Sequence, residues 1–549
     1  MEFSSKLILI SPEILLFIGA VVVAVLGLSN SRTLRRSVPF VTALFLAGSV
    51  VGTVYVYGDT DALAASSLLF PKIGLFVKCL VGIAAIGLVA LGTGTIDRGF
   101  ENAVASGRTR FDPLRVIRGE YHAFFLLSVL GVMLICNATD LIWLFLALEL
   151  SSLPTYVMVA LSRSSRKASE SAIKYFFLGA MSAALFLYGF ALLYGATGTL
   201  DFLEMREILG AAQASPDGYP AIAILGMTLA ILGIAFKIAA VPMHFYAPDV
   251  YEGAANHMTG FLSIIPKVAG MLAIILLCGT FGWTEHQVIS PEGTAMIQEG
   301  LPAPVSAVLW MIAVLTMTLG NIGALLQTSI KRIAAYSGIS HSGYMLIGVI
   351  AGTENGIDAV LFYLVAYALG TLALFGVLSG LSRAGHEVES LEDLAGLWRR
   401  RPKMAAALAL AAGSFVGLPP LLGFWGKLFI FIAGIESGHI VLVVIAGINS
   451  AISAWYYLHI AGVPIVKMAT PRSEALSPRP NAGPRIVAIV AALSLVIVPI
   501  FSRDIYEFAR CSMRYGELEL KENENTDAML PMRDEEQFAD AGIMPTHVD

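Results

Sequence analysis

The stretch LGIAFKIAAVPMHFYAPDVYEGA, residues 232–254, decides the fold. Its flanks are apolar enough for a lipid bilayer, yet Lys237, Pro242 and His244 stand near its centre. Proline withholds a backbone N–H and clashes with the carbonyl four residues back, here that of Ile238, so the sequence predicts a helix broken or kinked just beyond Lys237. A charged amine at that depth costs about 2.5–3.5 kcal/mol on insertion scales. The two features are tolerated together where freed carbonyls and half-helix ends line a cavity. A second such stretch is GSFVGLPPLLGFWGKLFIF, residues 413–431, where Pro419 and Pro420 precede Lys427.

The rest of the chain agrees with a membrane solvent. It is 57% hydrophobic and 14% charged, well outside the range of soluble domains. Cys79, Cys136, Cys278 and Cys511 stand apart with no CxxC pair and no histidine at ligand spacing, so no metal, iron–sulfur or disulfide framework is expected. No GxGxxG or Walker-type loop argues for nucleotide binding; GTGTID at 92–97 ends an apolar run. The opening MEFSSKLILISPEILLFIGA lacks a basic start and a cleavage site and reads as a first span.

Fourteen apolar runs are long enough to cross as helices, near 7–28, 37–57, 72–95, 121–138, 140–161, 172–195, 221–247, 258–281, 304–327, 331–352, 357–381, 404–434, 439–464 and 484–502. The expected architecture is an all-α polytopic membrane protein. Loops after odd-numbered spans carry Arg32, Arg35 and Arg36, five arginines between 98 and 118, then Arg163, Arg166, Lys167, Lys331 and Arg332. Further odd loops carry Arg383, Arg399, Arg400, Arg401, Lys403, Lys467, Arg472, Arg479 and Arg485, whereas the even loops hold Arg206 alone. Positive charge stays on the cytoplasmic side, which places both termini outside and requires an even number of spans.

Broken spans seven and twelve lie five apart and therefore run in opposite directions. Spans four to eight (121–281) and nine to thirteen (304–464) then form two inverted repeats, with 1–120 as an N-terminal three-helix segment, 484–502 as a last helix and 503–549 as an acidic tail. Glu149 and His341 each fall about ten residues into spans five and ten, which supports the pairing.

Glu149, Lys237, Lys267, His341 and Lys427 all fall near the centres of their own spans, a row that suits proton relay. A carboxylate about 6 Å from a buried amine changes its hold on a proton by about 3 kcal/mol at an effective dielectric of about 20. The expected sequence of events has Glu149 set the charge of Lys237, which passes protons through Lys267 and His341 to Lys427. The competing account of each lysine is a satisfied structural ion pair, and of His244 and His341 a hydrogen bond to loose backbone. Lys72 reads as snorkelling at a span edge, Lys78 as deeper with no visible partner, and Lys174 as either snorkelling or buried. Asp249 and Glu252 read either as a guard on proton uptake or as solvated surface charge.

Together, LEL around Glu149, SAIKYFFLGAMSAALFLYG, FKIAAVPMHFYAPDVYEGA, PKVAG with Lys267, IKRIAAYSGISHSGYM and GLPPLLGFWGKLFIF resemble the antiporter-like membrane subunits of proton-pumping NADH:quinone oxidoreductase, respiratory complex I. Within that group they resemble subunit N, the counterpart of mitochondrial subunit two, over roughly residues 1–502. The M subunit carries a Glu where this chain has Lys427, and the L subunit extends into further spans and a long lateral helix. The resemblance implies fourteen spans with inverted five-helix repeats and a charged axis at Glu149, Lys174, Lys237, Lys267 and Lys427. To that axis the residue reading adds His341, with His244 as a secondary candidate.

It also implies a bacterial inner membrane and partner membrane subunits, including a further antiporter-like one and small ones, with no nucleic acid. NADH, FMN, iron–sulfur clusters and quinone would then be held by other subunits, and no cofactor or metal by this chain. The acidic tail departs from the family pattern. Two rivals are a subunit of a multisubunit cation/proton antiporter, which uses no redox partner, and a membrane scaffold with inert ion pairs.

Overall fold

The computed structural model describes residues 7–501 except 30, 59–67, 72, 94–105, 109–118, 164, 215–217, 290–294, 353–354, 383–386 and 477–481. Lys72, Cys511, the acidic tail and most of the 96–120 loop lie outside the described residues.

The first half contains α1 (Ser11–Gly27), α2 (Arg32–Val56), α3 (Ile73–Gly92), α4 (Gly119–Ile135), α5 (Leu141–Ser162), α6 (Arg166–Thr197), α7 (Phe202–Ala214), α8 (Ala221–Ala235), α9 (Tyr246–Gly253) and α10 (Asn256–Phe281). The second contains α11 (Ala303–Leu325), α12 (Ile330–Ala351), α13 (Gly356–Leu381), α14 (Pro402–Val416), α15 (Leu422–Glu436), α16 (Ile440–Val466) and α17 (Ala482–Ile497). Ten helices among the described residues are long and apolar enough to cross a membrane, and α1, α4, α8 and α14 are shorter apolar helices.

Caps explain several boundaries. Asp140 accepts from the Trp143 N–H at 2.8 Å to start α5, and Ser165 accepts from Ala168 at 3.2 Å to start α6. Gly198 then ends α6 at φ 73°, a left-handed conformation that costs glycine little.

Helix α10 forms the centre of the bundle: every one of its residues is buried. It packs against α3, α4, α5, α12 and α13, the last two also being largely enclosed. The outer helices turn large apolar side chains outwards, among them Phe40, Val51, Tyr55, Trp455 and Val466. Lipid satisfies such a surface, because the helices have already paired their backbone groups internally.

Two details add to the expected all-α architecture. In one connection β1 (Thr284–Ile289) pairs antiparallel with β2 (Ala295–Gly300), from Thr284 opposite Gly300 to Ile289 opposite Ala295. The segment lies between apolar runs, where short strands pair their backbone groups and no helix has room to nucleate. Helix α7 also occupies what reads as a loop between spans six and seven.

Two isolated bridges clamp connections together. Asp140 pairs with Asp201 and Ser329 with Ser390. In the first, Leu141 N–H donates to Leu200 and Phe202 N–H to Thr139, at 3.1 and 2.9 Å. In the second, Ile330 N–H donates to Glu389 and Leu391 N–H to Thr328, at 3.1 and 3.5 Å.

Candidate functional site

The break at residues 232–254 opens earlier than proline geometry alone predicts. Helix α8 stops at Ala235, and turns carry the chain to α9. The Lys237 N–H bonds Ile234 and the Ala240 N–H bonds Ala235, both at 2.8 Å, while Ala239 sits at φ 54°. The missing donor of Pro242 thus reorganises the whole preceding turn, and Lys237 lies inside the break rather than ahead of it.

Lys237 is 6% exposed, with Nζ 3.6 Å from Glu149 Oε1 on α5. Its ammonium also donates to Ser152 Oγ, one helical turn after Glu149. The loop can approach α10 because residue 270 is glycine: a Cβ there would lie 2.8 Å from Lys237 Cβ and 2.6 Å from Ile238 Cγ2.

Lys267, on α10, is equally enclosed and donates to the Gly338 carbonyl and to Ser342 Oγ, both at 2.5 Å. Ser342 in turn donates to the Ile238 carbonyl at 2.6 Å, so one hydroxyl joins Lys267 to the residue after Lys237. Next to Ser342, the buried His341 ring meets Tyr363 Oη at Nδ1 (2.5 Å) and Tyr457 Oη at Nε2 (2.8 Å).

Lys427 sits beyond the second break. Helix α14 ends at Val416, Gly417 follows at φ 90°, and α15 starts at Leu422. The Lys427 ammonium donates to the Val416 carbonyl and to Ser450 Oγ, both at 2.9 Å. It thereby satisfies a carbonyl orphaned at the negative end of a half-helix, the use expected of a broken span.

Lys237, Lys267, His341 and Lys427 therefore form a buried row, with Glu149 partly open at its Lys237 end, linked by short polar contacts and by tyrosine rings. The Lys267 ammonium lies 5.1 Å from the Tyr367 ring, and that of Lys427 lies 5.1 Å from the Tyr344 ring. His341 lies 5.3 and 5.9 Å from those two rings. The sequence reading missed the hydroxyl partners Ser152, Ser342, Ser450, Tyr363 and Tyr457; serines and aromatics in a bundle carry no signal until their neighbours are known.

The other candidates lie elsewhere. His244 is buried beside Phe245, with ring centroids 4.3 Å apart, and takes no part in the hydrogen bonds described for the row. Lys174 is 44% exposed and pairs with Glu170 and Asp249, both at 2.9 Å. Lys331, read as a loop cation, is buried and donates to the Ala254 carbonyl at 2.8 Å and to Glu387 at 3.0 Å. Lys78 has a partner after all: Glu13, at 2.7 Å.

Asp249 is the hub of an ionic cluster around a cleft of about 140 Å³. It accepts from Lys174 at 2.9 Å and from Arg332 at 2.8 Å, while Glu252 accepts from Arg332 at 3.1 Å and Lys167 at 3.4 Å. Burial alone pushes the Asp249 carboxyl upwards, but its bonds to Lys174 and Arg332 outweigh that and hold it below the usual carboxylate range. A depressed carboxylate contributes stability above its unfolded value, about 3.9, and loses it as pH falls through the folded value. Protection of the α9 amides, as exchange relative to the intrinsic rate at each pH, is therefore expected to fall below about pH 4. Asp249→Asn should show faster exchange already at pH 7 and lose most of that acid dependence; an unchanged exchange profile would refute the assignment.

Among the described residues no group of three or more His, Cys, Asp or Glu side chains is placed to hold a metal. A bundle of apolar helices with two interrupted segments and a buried titratable row defines a polytopic membrane protein built to handle ions or protons. The family described as NADH:quinone oxidoreductase/Mrp antiporter, transmembrane, matches residues 138–453. The subunit N of NADH-quinone oxidoreductase from Nitrosomonas europaea is 36% identical over 82% of this chain and 86% of its own. A chain of respiratory complex I from Thermus thermophilus superposes with a TM-score of 0.69 at 28% identity, covering 91% of this chain and 99% of that one. A chain of the Mrp complex from Dietzia sp. DQ12-45-1b shares the fold, with a TM-score of 0.73 at 19% identity over 94% of this chain and 97% of that one. The chain belongs to the subunit N family of NADH-quinone oxidoreductase.

Proposed function

We infer that the chain is a proton-translocating membrane subunit of a bacterial NADH:quinone oxidoreductase, moving protons along the Glu149, Lys237, Lys267, His341 and Lys427 row. The observation that carries this is the ion pair of Lys237, held inside a broken helix, with Glu149 on a neighbouring helix. Electron transfer in partner subunits would displace that pair, and the amine would take up or release its proton as the carboxylate recedes or returns. Lys174 and the Asp249 cluster would serve at the cytoplasmic end of the same path. NADH, FMN, iron–sulfur clusters and quinone would belong to those partners, which include further membrane subunits.

In this reading α1, α4 and the two broken pairs, α8 with α9 and α14 with α15, complete fourteen crossings with both termini outside. Residues 121–281 and 304–464 form inverted repeats. The two backbone bridges support the repeat, since their bonds match at a constant separation of 189 positions, Leu141 to Ile330 and Leu200 to Glu389. That register sets Gly338 opposite Glu149 and His341 opposite Ser152, a shift of three residues, or nearly one helical turn, from the pairing that span depth suggests.

The test is the proton-to-electron ratio of the assembled complex in membrane vesicles respiring on NADH. Lys237→Ala is expected to lower the ratio and Lys237→Arg to retain part of it. A wild-type ratio in both variants, with the complex assembled, refutes the relay and leaves the scaffold. Proton flux driven by a sodium or potassium gradient without NADH would favour the cation/proton antiporter.

A further inference from the structure

The row contains one stretch where hydrogen bonds run unbroken through side chains. His341 is in contact through both ring nitrogens: Nδ1 with Tyr363 Oη at 2.5 Å and Nε2 with Tyr457 Oη at 2.8 Å. Tyr457 Oη continues to Ser337 Oγ at 2.6 Å. All four side chains are buried, none more than 4% exposed. Each end of this chain adjoins a residue that the backbone or a hydrogen bond connects to a lysine of the row. Ser337 precedes Gly338, whose carbonyl accepts from Lys267, and the Tyr363 ring packs against Gly426, which precedes Lys427.

Packing does not require this chemistry. Phenylalanine would fill the space of either tyrosine, and a buried hydroxyl is expensive without partners. Here the hydroxyls end on an imidazole, whose two nitrogens let a proton arrive on one and depart from the other.

We propose that Tyr363 and Tyr457 are relay residues, passing each proton that moves between the Lys267 and Lys427 ends through the imidazole of His341. The step balances without any change in electrons. A proton reaches Ser337 Oγ as the Ser337 proton moves to Tyr457 Oη; the Tyr457 proton moves to His341 Nε2, the Nδ1 proton to Tyr363 Oη, and the Tyr363 proton leaves towards Lys427. One proton enters, one leaves, and every bond in the chain reverses its polarity. Rotation of the hydroxyls and of the ring restores it.

This inference rests on the relay reading of the row, so the experiment separates the two. In vesicles containing the whole complex, the proton-to-electron ratio is measured for Tyr363→Phe, Tyr457→Phe and Lys237→Ala. Both phenylalanine variants are expected to fall to the level of Lys237→Ala, and Tyr457→His to recover part of the loss. A full ratio in the phenylalanine variants beside a lowered one in Lys237→Ala overturns the tyrosine relay alone. A full ratio in Lys237→Ala overturns the row as well. Where a phenylalanine variant fails to assemble, 2,3-difluorotyrosine at 457 keeps the ring and makes its hydroxyl more acidic. The pH profile of pumping must then shift towards acid, and an unshifted profile overturns the proposal.

Discussion

Glu13→Ala is expected to destabilise the chain by about 3–5 kcal/mol, the usual result of stranding one partner of a buried ion pair. Glu13 and Lys78 are 2% and 0% exposed, with 2.7 Å between Oε1 and Nζ. Asn137 completes the arrangement, accepting from Lys78 at 2.9 Å and donating to Glu13 at 3.1 Å, and the Tyr57 ring lies 5.1 Å from the ammonium. These groups come from the start of α1, the end of α2, the start of α3 and the end of α4, so the pair ties four helices together at one depth. Among the described residues, Glu13 is the acid paired with Lys78, and its removal leaves the ammonium buried beside Asn137 and the Tyr57 ring. The double replacement Glu13→Leu with Lys78→Met removes both charges and should recover most of the loss. Thermal unfolding of the detergent-solubilised complex reads both outcomes, and an unchanged midpoint in Glu13→Ala would show that water already reaches the pair.

Gly189→Leu should have an effect of similar size through pure geometry. A Cβ at position 189 would lie 2.5 Å from the Ala230 nitrogen and 2.6 Å from the Gly226 carbonyl oxygen, both backbone atoms of α8. Backbone cannot rotate aside as a side chain can, so α6 and α8 must separate. Overpacking in a core typically costs about 1–3 kcal/mol and more where nothing yields. Small residues are what permit such close approach between membrane helices, where van der Waals contact replaces the hydrophobic drive. Because α8 leads directly into the break that holds Lys237, the variant should reduce both assembly and pumping. Gly447→Leu is the comparison, since a Cβ there meets nothing within 4 Å. Equal yields of assembled complex from the two variants would contradict the close-packing account.

The residues that broke local rules were the most legible. Pro242, Pro419 and Pro420 cannot sit in an unbroken helix, and Lys237, Lys267 and Lys427 cannot face lipid cheaply, so both the interruptions and the row could be read from the chain. Partners far apart in sequence could not. Glu13 follows Pro12 at a helix start, where an acid is ordinary, and nothing local connects it with Lys78 or Asn137. Lys174 could be read either as snorkelling or as buried, and spacing could not decide; it stands two turns into α6 and reaches an acid on α9 at the protein surface. The paired strands at 284–300 escaped because their residues alternate too weakly to announce a strand.

Within the row, Glu149 alone keeps an appreciable open face, its side chain 17% exposed while its partner Lys237 is at 4%. Lys267 rides on a helix with no outward surface at all, and His341 and Lys427 are similarly enclosed. A charge or partner brought up against the outside of the molecule can therefore touch Glu149 directly, whereas the other members can be approached only through the protein that covers them.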